Sequence, residues 1–163
     1  MAYADYKFYT ESFGNVVPEA DFPRLAERAS DFVDLMTSDR LVDGLPENER
    51  SQKRIKKAVC SLAELMYQIE LAEKNAISQA STNLADTNVG NIKAGAVTSV
   101  SSGSESISYA TPQQKASGAK EWSAVYAAAG DVQKTNDLLY KTALPLLMGV
   151  MTDDGIPILN AGV

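Results

Sequence analysis

The chain has 163 residues, 45 % of them hydrophobic, enough to bury one respectable core and too few for two comfortable ones. Its formal charge of -6 argues against a protein that wraps nucleic acid, which carries a basic face in its net balance, and no apolar run approaches a bilayer span. Histidine is absent and Cys60 stands alone, which removes Ser-His-Asp and Cys-His nucleophile arrangements, His-containing zinc sites and disulfide frameworks, and points to a reducing compartment.

Residues 1–13 carry Tyr3, Tyr6, Phe8 and Tyr9, and close on a turn at Phe13, Gly14 and Asn15. No charged-then-apolar leader pattern is present there, so secretion is not expected. Aromatics so dense need burial, either on the chain's own core or on a neighbour. A helix follows whose buried stripe is Phe22, Leu25, Ala29, Phe32, Val33 and Met36, with Arg24, Glu27, Arg28 and Asp31 on the wet side. Asp21 is the expected N-cap, Pro23 is tolerated so early, and Pro18 offers an earlier start. The stripe stops near Thr37 to Asp39, and the loop through Asp43, Gly44 and Leu45 predicts an antiparallel return.

The dominant element is a long helix from about Pro46 to Ser78, with Ile55, Val59, Leu62, Met66, Ile69, Ala72 and Ala76 in steps of three and four. A second line, Cys60, Glu64, Tyr67 and Leu71, lies on roughly the opposite side. It meets either another helix of the same chain or a neighbouring subunit, so Cys60, Tyr67 and Leu71 are interface candidates. Arg50, Lys53, Arg54, Lys56 and Lys57 crowd the first turns, five of the fifteen basic residues in eight positions. Such a run is ordinarily a solvated face; the sharper reading is a patch for an acidic partner or for DNA passing nearby. The carboxylate pairs Asp31/Asp34, Glu47/Glu49 and Asp153/Asp154 sit where helix surfaces and ends carry charge, and no catalytic role is assigned to them.

Residues 79–118 turn rich in Ser, Thr, Asn, Gly and Ala, the composition of a flexible insertion. Within it Lys93–Val100 and Glu105–Tyr109, separated by Ser101 to Ser104, predict a β-hairpin that needs something to lean on, which makes Val100, Ile107 and Tyr109 interface candidates. After Pro112 a helix is expected with Ala119, Trp122, Val125, Tyr126 and Ala129 on one side. Gly130 ends or joints it, and Asp131 caps a continuation through Leu138, Leu139 and Thr142 that stops at Pro145. Residues 151–163 read as an extended tail, disordered or laid along a partner, in which Ile156, Ile158 and Leu159 are interface candidates. The fold expected is mainly α: a small antiparallel helical bundle over residues 1–150 with an inserted β-hairpin, followed by that tail.

The strings Tyr9-Thr10-Glu11-Ser12-Phe13-Gly14, Val17-Pro18-Glu19-Ala20-Asp21-Phe22-Pro23-Arg24-Leu25-Ala26, Arg28-Ala29-Ser30 and Asp34-Leu35-Met36-Thr37 resemble the opening of tailed-phage and prophage head-to-tail connector proteins. Lys57-Ala58-Val59-Cys60, the hairpin from Val97 to Tyr109 and Leu146-Leu147-Met148-Gly149-Val150 are similar to that family's later landmarks. The resemblance spans most of the chain and rests on packing and turn residues.

It implies a non-enzymatic virion neck adaptor without cofactor, metal or membrane contact, assembled in the host cytoplasm. Copies would form a ring, twelve-fold to match the portal, through heterologous contacts. The implied partners are the portal, a head-closure or tail-terminator protein and, in passing, genomic DNA near Arg50 to Lys57. Alternatives are another neck or tail-completion protein, or a cytosolic helical interaction module.

Overall fold

The computed structural model describes residues 2–85, 97–101, 106–109 and 123–159, with side chains for 2–76 and 123–159. Among the residues described with their side chains 64 % are helical, in five helices, so the protein is mainly α. The elements are α1 (Tyr6–Ser12), α2 (Phe22–Thr37), α3 (Glu49–Ala85), β1 (Val97–Ser101), β2 (Ser106–Tyr109), α4 (Ala124–Ala128) and α5 (Val132–Leu147).

Local hydrogen-bond chemistry fixes the helix ends. Asp5 caps α1, its carboxylate accepting the Phe8 amide at 2.7 Å. At α2 the expected capping by Asp21 does not occur: its backbone is already helical and its side chain accepts no amide. The Pro18 carbonyl instead receives the amides of Asp21 and Phe22 at 3.1 and 3.0 Å, because the chain enters through a turn that starts at that proline. The helix stops at Ser38 and Asp39, both left-handed at φ 53° and 60°, whose amides return to Leu35 O and Asp34 O. The long helix starts at Glu49, later than Pro46, since Asn48 Oδ1 takes the amides of Arg50 and Ser51 at 2.9 and 3.2 Å.

The packing divides the chain into two units, Met1–Gln68 with Thr135–Val163, and Ile69–Lys134. The divisions fall inside α3 and near the start of α5, and the expected boundary at 150/151 is not one of them.

In the first unit a single apolar cluster joins every local element. Phe22, Leu25, Ala29 and Val33 come from α2, Ile55, Val59, Leu62 and Met66 from α3, and Leu139, Ala143 and Leu147 from α5. Tyr9, Val17, Leu41, Val150 and Ile158 complete it. Each large side chain so enclosed contributes about 1.5–3 kcal/mol relative to exposure. The Ser30 hydroxyl is also buried and stays satisfied by donating to Ala26 O at 2.8 Å while accepting the Tyr3 amide at 3.0 Å.

In the second unit Ile69, Ala72 and Ala128 are buried. The Gly130 amide donates to Glu73 Oε1 at 3.1 Å. Gly130 itself, at φ +79°, makes the joint between α4 and α5. Asp131 caps α5 by accepting the Lys134 amide at 3.2 Å, and its carboxyl is held below the usual range chiefly by that hydrogen bond. The helix after Pro112 is described only over Ala124–Ala128, where Ala128 rather than Tyr126 is buried; Ala119 and Trp122 lie outside the described residues. The backbones of β1 and β2 pair antiparallel, with Val97 opposite Tyr109 and Val100 opposite Ile107.

Candidate docking faces

The second line of α3 divides along its length. Cys60 is enclosed in the first unit's own core, which removes it from any subunit contact and, through burial, pushes its thiol up to about 12. Glu64 accepts a hydrogen bond from the Tyr9 hydroxyl at 3.2 Å, and Tyr67 packs partly buried against the same core. Leu71 remains exposed.

At Glu64 this line meets the chain's own amino-terminal arm. Tyr9 is fully buried and stacks on Phe22 at 4.8 Å between ring centroids and on Phe13 at 6.1 Å, while Tyr6 meets Phe22 edge-on at 5.5 Å. The Tyr9 hydroxyl also accepts the Val17 amide at 3.1 Å, so one phenol ties α1, the following loop and α3 together. Tyr3 donates its hydroxyl to Asp34, with Leu41 O 3.1 Å away. Burial raises the Asp34 carboxyl above its ordinary range against the opposing effect of the Tyr3 bond, and the nearby charges of Asp39 and Asp31 push the same way as burial.

The basic run is smaller than its sequence suggests. Arg54 is a helix cap: Nε donates to Leu146 O at 2.9 Å, and one terminal nitrogen donates to Pro145 O and Met148 O at 3.1 and 2.7 Å. These are carbonyls at the end of α5, where a cation is also favoured by the helix dipole. Pro145 lies inside α5 and does not end it: in the last turn its ring removes only the one amide that would return to Lys141 O, and the helix runs on to Leu147, where Arg54 serves the terminal carbonyls. Lys56 places its ammonium over the Phe8 ring, 5.8 Å from the centroid. Arg50 and Lys53 are exposed and Lys57 half-exposed.

The carboxyl-terminal segment, expected as an extended tail, folds back on the first unit. Its backbone makes a tight antiparallel turn, with Ile158 N–H to Val150 O at 3.0 Å, Thr152 N–H to Ile156 O at 2.8 Å and a bridge between Met151 and Pro157. Two clasps hold it: the Arg40 guanidinium donates to Pro157 O and Ile158 O, and Asp153 Oδ1 accepts the Glu47 amide at 2.8 Å. Val150 and Ile158 are buried inward. Leu159 packs partly against the core, so Ile158 and Leu159 are core residues here, while Ile156 stays outside.

Arg40 and Asp153 were not legible as fixing residues, because each acts on a backbone group remote in sequence; Asn48 acts within three residues of itself and was passed over for the earlier helix start at Pro46. The side chains of Val100, Ile107 and Tyr109 lie outside the described residues. Among the described residues, no group of three potential ligand side chains could hold a metal ion and no helix is long and apolar enough to cross a membrane. Compared with protein-family models, curated proteins and solved structures, the chain shows no match.

Proposed function

We propose that the chain is a structural adaptor of a tailed-phage or prophage neck, a head-to-tail connector that joins the portal to the next neck or tail component after DNA packaging. The observation that supports it best is where the resembling residues fall. Tyr9, Val17, Phe22, Leu25, Ala26 and Ala29, from the opening strings, and Ala58, Val59 and Val150, from the later ones, are buried in the first unit's core, while Thr10, Glu11, Pro18, Glu19, Arg24 and Leu35 of the same strings are exposed. The likeness therefore includes residues that pack the core, which is the part of a sequence that tracks a fold. In this reading the chain is a small antiparallel helical bundle with the β1–β2 hairpin inserted, acts without catalysis, and forms a twelve-fold ring in the virion neck after assembly in the host cytoplasm.

Arg50, Lys53 and Lys57 then form the basic surface that a passing duplex or an acidic partner meets. A channel that lets DNA through binds it weakly, and two exposed cations with a half-exposed third suit that better than five. Quantitative mass spectrometry of gradient-purified particles from lysates containing the chain tests the role. A copy number equal to the portal's supports the neck ring. Absence from particles rejects it and favours the second reading, a cytosolic helical interaction module, which is supported by the way residues 151–159 close on their own unit instead of extending as a free peptide.

A further inference from the structure

Both ends of the first unit are held by one loop. Residues 38–48 connect α2 to α3; Leu41 and Pro46 are the buried points of that loop, and residues 42–44 between them are exposed. The Leu41 carbonyl accepts the Tyr3 hydroxyl and the Gly44 amide, each at 3.1 Å, so residues 2–5, ahead of α1, grip the loop at its first buried point. The residue before that point, Arg40, donates its guanidinium to Pro157 O and Ile158 O. The residue after the second point, Glu47, gives its amide to Asp153 Oδ1 at 2.8 Å. Each clasp on the carboxyl-terminal segment therefore sits one residue from a buried point of the loop that Tyr3 holds. Among the described residues, 2–17 and 150–159 share no hydrogen bond with each other, which leaves this loop as their polar connection.

The loop is strained where it begins. Ser38 and Asp39 are both left-handed, at φ 53° and 60°, a conformation that residues with a Cβ keep only where their surroundings impose it. Arg40 comes next in the chain. Losing a grip on the loop lets that entry relax, and relaxation there displaces Arg40. The segment that Arg40 holds is the readiest part of the unit to respond, since residues 151–159 fully enclose only Ile158 among their side chains and can open while the helices stay packed.

We propose that the loop of residues 38–48 is a latch that couples the two ends of the chain: docking of Tyr3 sets the position of Arg40, and release of residues 2–5 frees residues 151–159 from the core. Coupling of this kind is one free energy shared by both sites, so it acts equally in reverse, and freeing residues 151–159 loosens the grip of Tyr3. An event at one end of the chain is thereby felt at the other. The latch goes beyond the neck role and does not depend on it.

Native-state amide exchange of the full chain, followed by NMR, tests this at the amides of Ile158, bonded to Val150 O, of Tyr3, bonded to Ser30 Oγ, and of Val59 inside α3, which reports global unfolding. Ile158 is expected to exchange well before Val59. Tyr3→Phe keeps the ring and removes the hydroxyl bonds to Leu41 O and Asp34; it is expected to speed Ile158 exchange about three- to tenfold. Tyr9→Phe, which loses hydroxyl bonds of the same arm away from the loop, is expected to speed Val59 and leave Ile158 unchanged. Arg40→Gln is expected to speed the Tyr3 amide as well as Ile158, and combined with Tyr3→Phe to give less than the product of the two effects. An Ile158 amide indifferent to Tyr3→Phe, or a Tyr3 amide indifferent to Arg40→Gln, overturns the latch. Exchange of Ile158 only together with Val59 overturns it too, and a full product in the double variant overturns the shared loop as the route.

Discussion

The two terminal segments of the first unit solve the same problem with different materials. Residues 3–17 return to the core through aromatic rings, so Tyr9 disappears completely and its hydroxyl serves two partners. Residues 150–159 return through backbone hydrogen bonds and two polar clasps, burying Val150 and Ile158 but leaving Met151 and Ile156 in water. An arm with an aromatic at almost every turn has enough apolar area to close on itself. A turn this short encloses only the apolar residues beside its base, Val150 and Ile158, and leaves Met151 and Ile156 in water.

The contrast predicts a ranking. Tyr9→Ala is expected to have the largest effect, a loss of about 3–5 kcal/mol in denaturant unfolding, because it empties a ring-sized space and orphans the Val17 amide. Tyr9→Phe keeps the ring and should cost about 1–3 kcal/mol. On the other segment, Ile158→Ala is expected to cost about 2–4 kcal/mol and Ile156→Ala less than about 0.5 kcal/mol, two residues apart on one turn. Equal losses at the two would show that burial of Ile158 is not what holds the turn.

Arg54→Ala should cost about 1.5–3 kcal/mol through the three carbonyls it leaves at the end of α5, and Arg54→Lys should recover only part of that, since an ammonium lacks the guanidinium's fork. A variant as stable as the parent would mean the basic run is wholly a surface feature.

The smallest effect concerns Asp34. Its carboxyl is raised in the folded state, so the charged form costs stability at neutral pH, and that cost is relieved as pH falls through the folded value toward the unfolded one near 3.9. Asp34→Asn is expected to be at least as stable as the parent at pH 7, with the difference shrinking as pH is lowered toward 4. Thermal melts across that range check it, and a difference that grows in acid would reverse the assignment.

Native thiol labelling sharpens the same comparison at Cys60. Beneath the aromatic arm, the buried thiol should react only on unfolding, and Tyr9→Ala should admit reagent faster than Ile156→Ala.

Periodicity in the sequence was sufficient for α2 and α3, because a stripe such as Phe22, Leu25, Ala29 and Val33, or Ile55, Val59, Leu62 and Met66, has only one way to be buried on a helix. The joint at Gly130 and the cap at Asp131 were also legible, since both act within a few residues of themselves. The owner of the second line on α3 was not. Cys60, Glu64 and Tyr67 have the spacing of a contact face whether the partner is the same chain or another, and only the fold shows that Cys60 and Tyr67 belong to the chain's own core and that Glu64 meets its own arm. Likewise Arg50 to Lys57 is one run of charge in sequence, but α5 ends beside Arg54 and the Phe8 ring lies under Lys56, so three-dimensional placement divides it into a cap, a covered ring and an exposed remainder. A helix pattern depends on neighbours three and four residues away, which the sequence contains; what a side chain meets from 90 residues off depends on the path of the whole chain, which only the tertiary structure supplies.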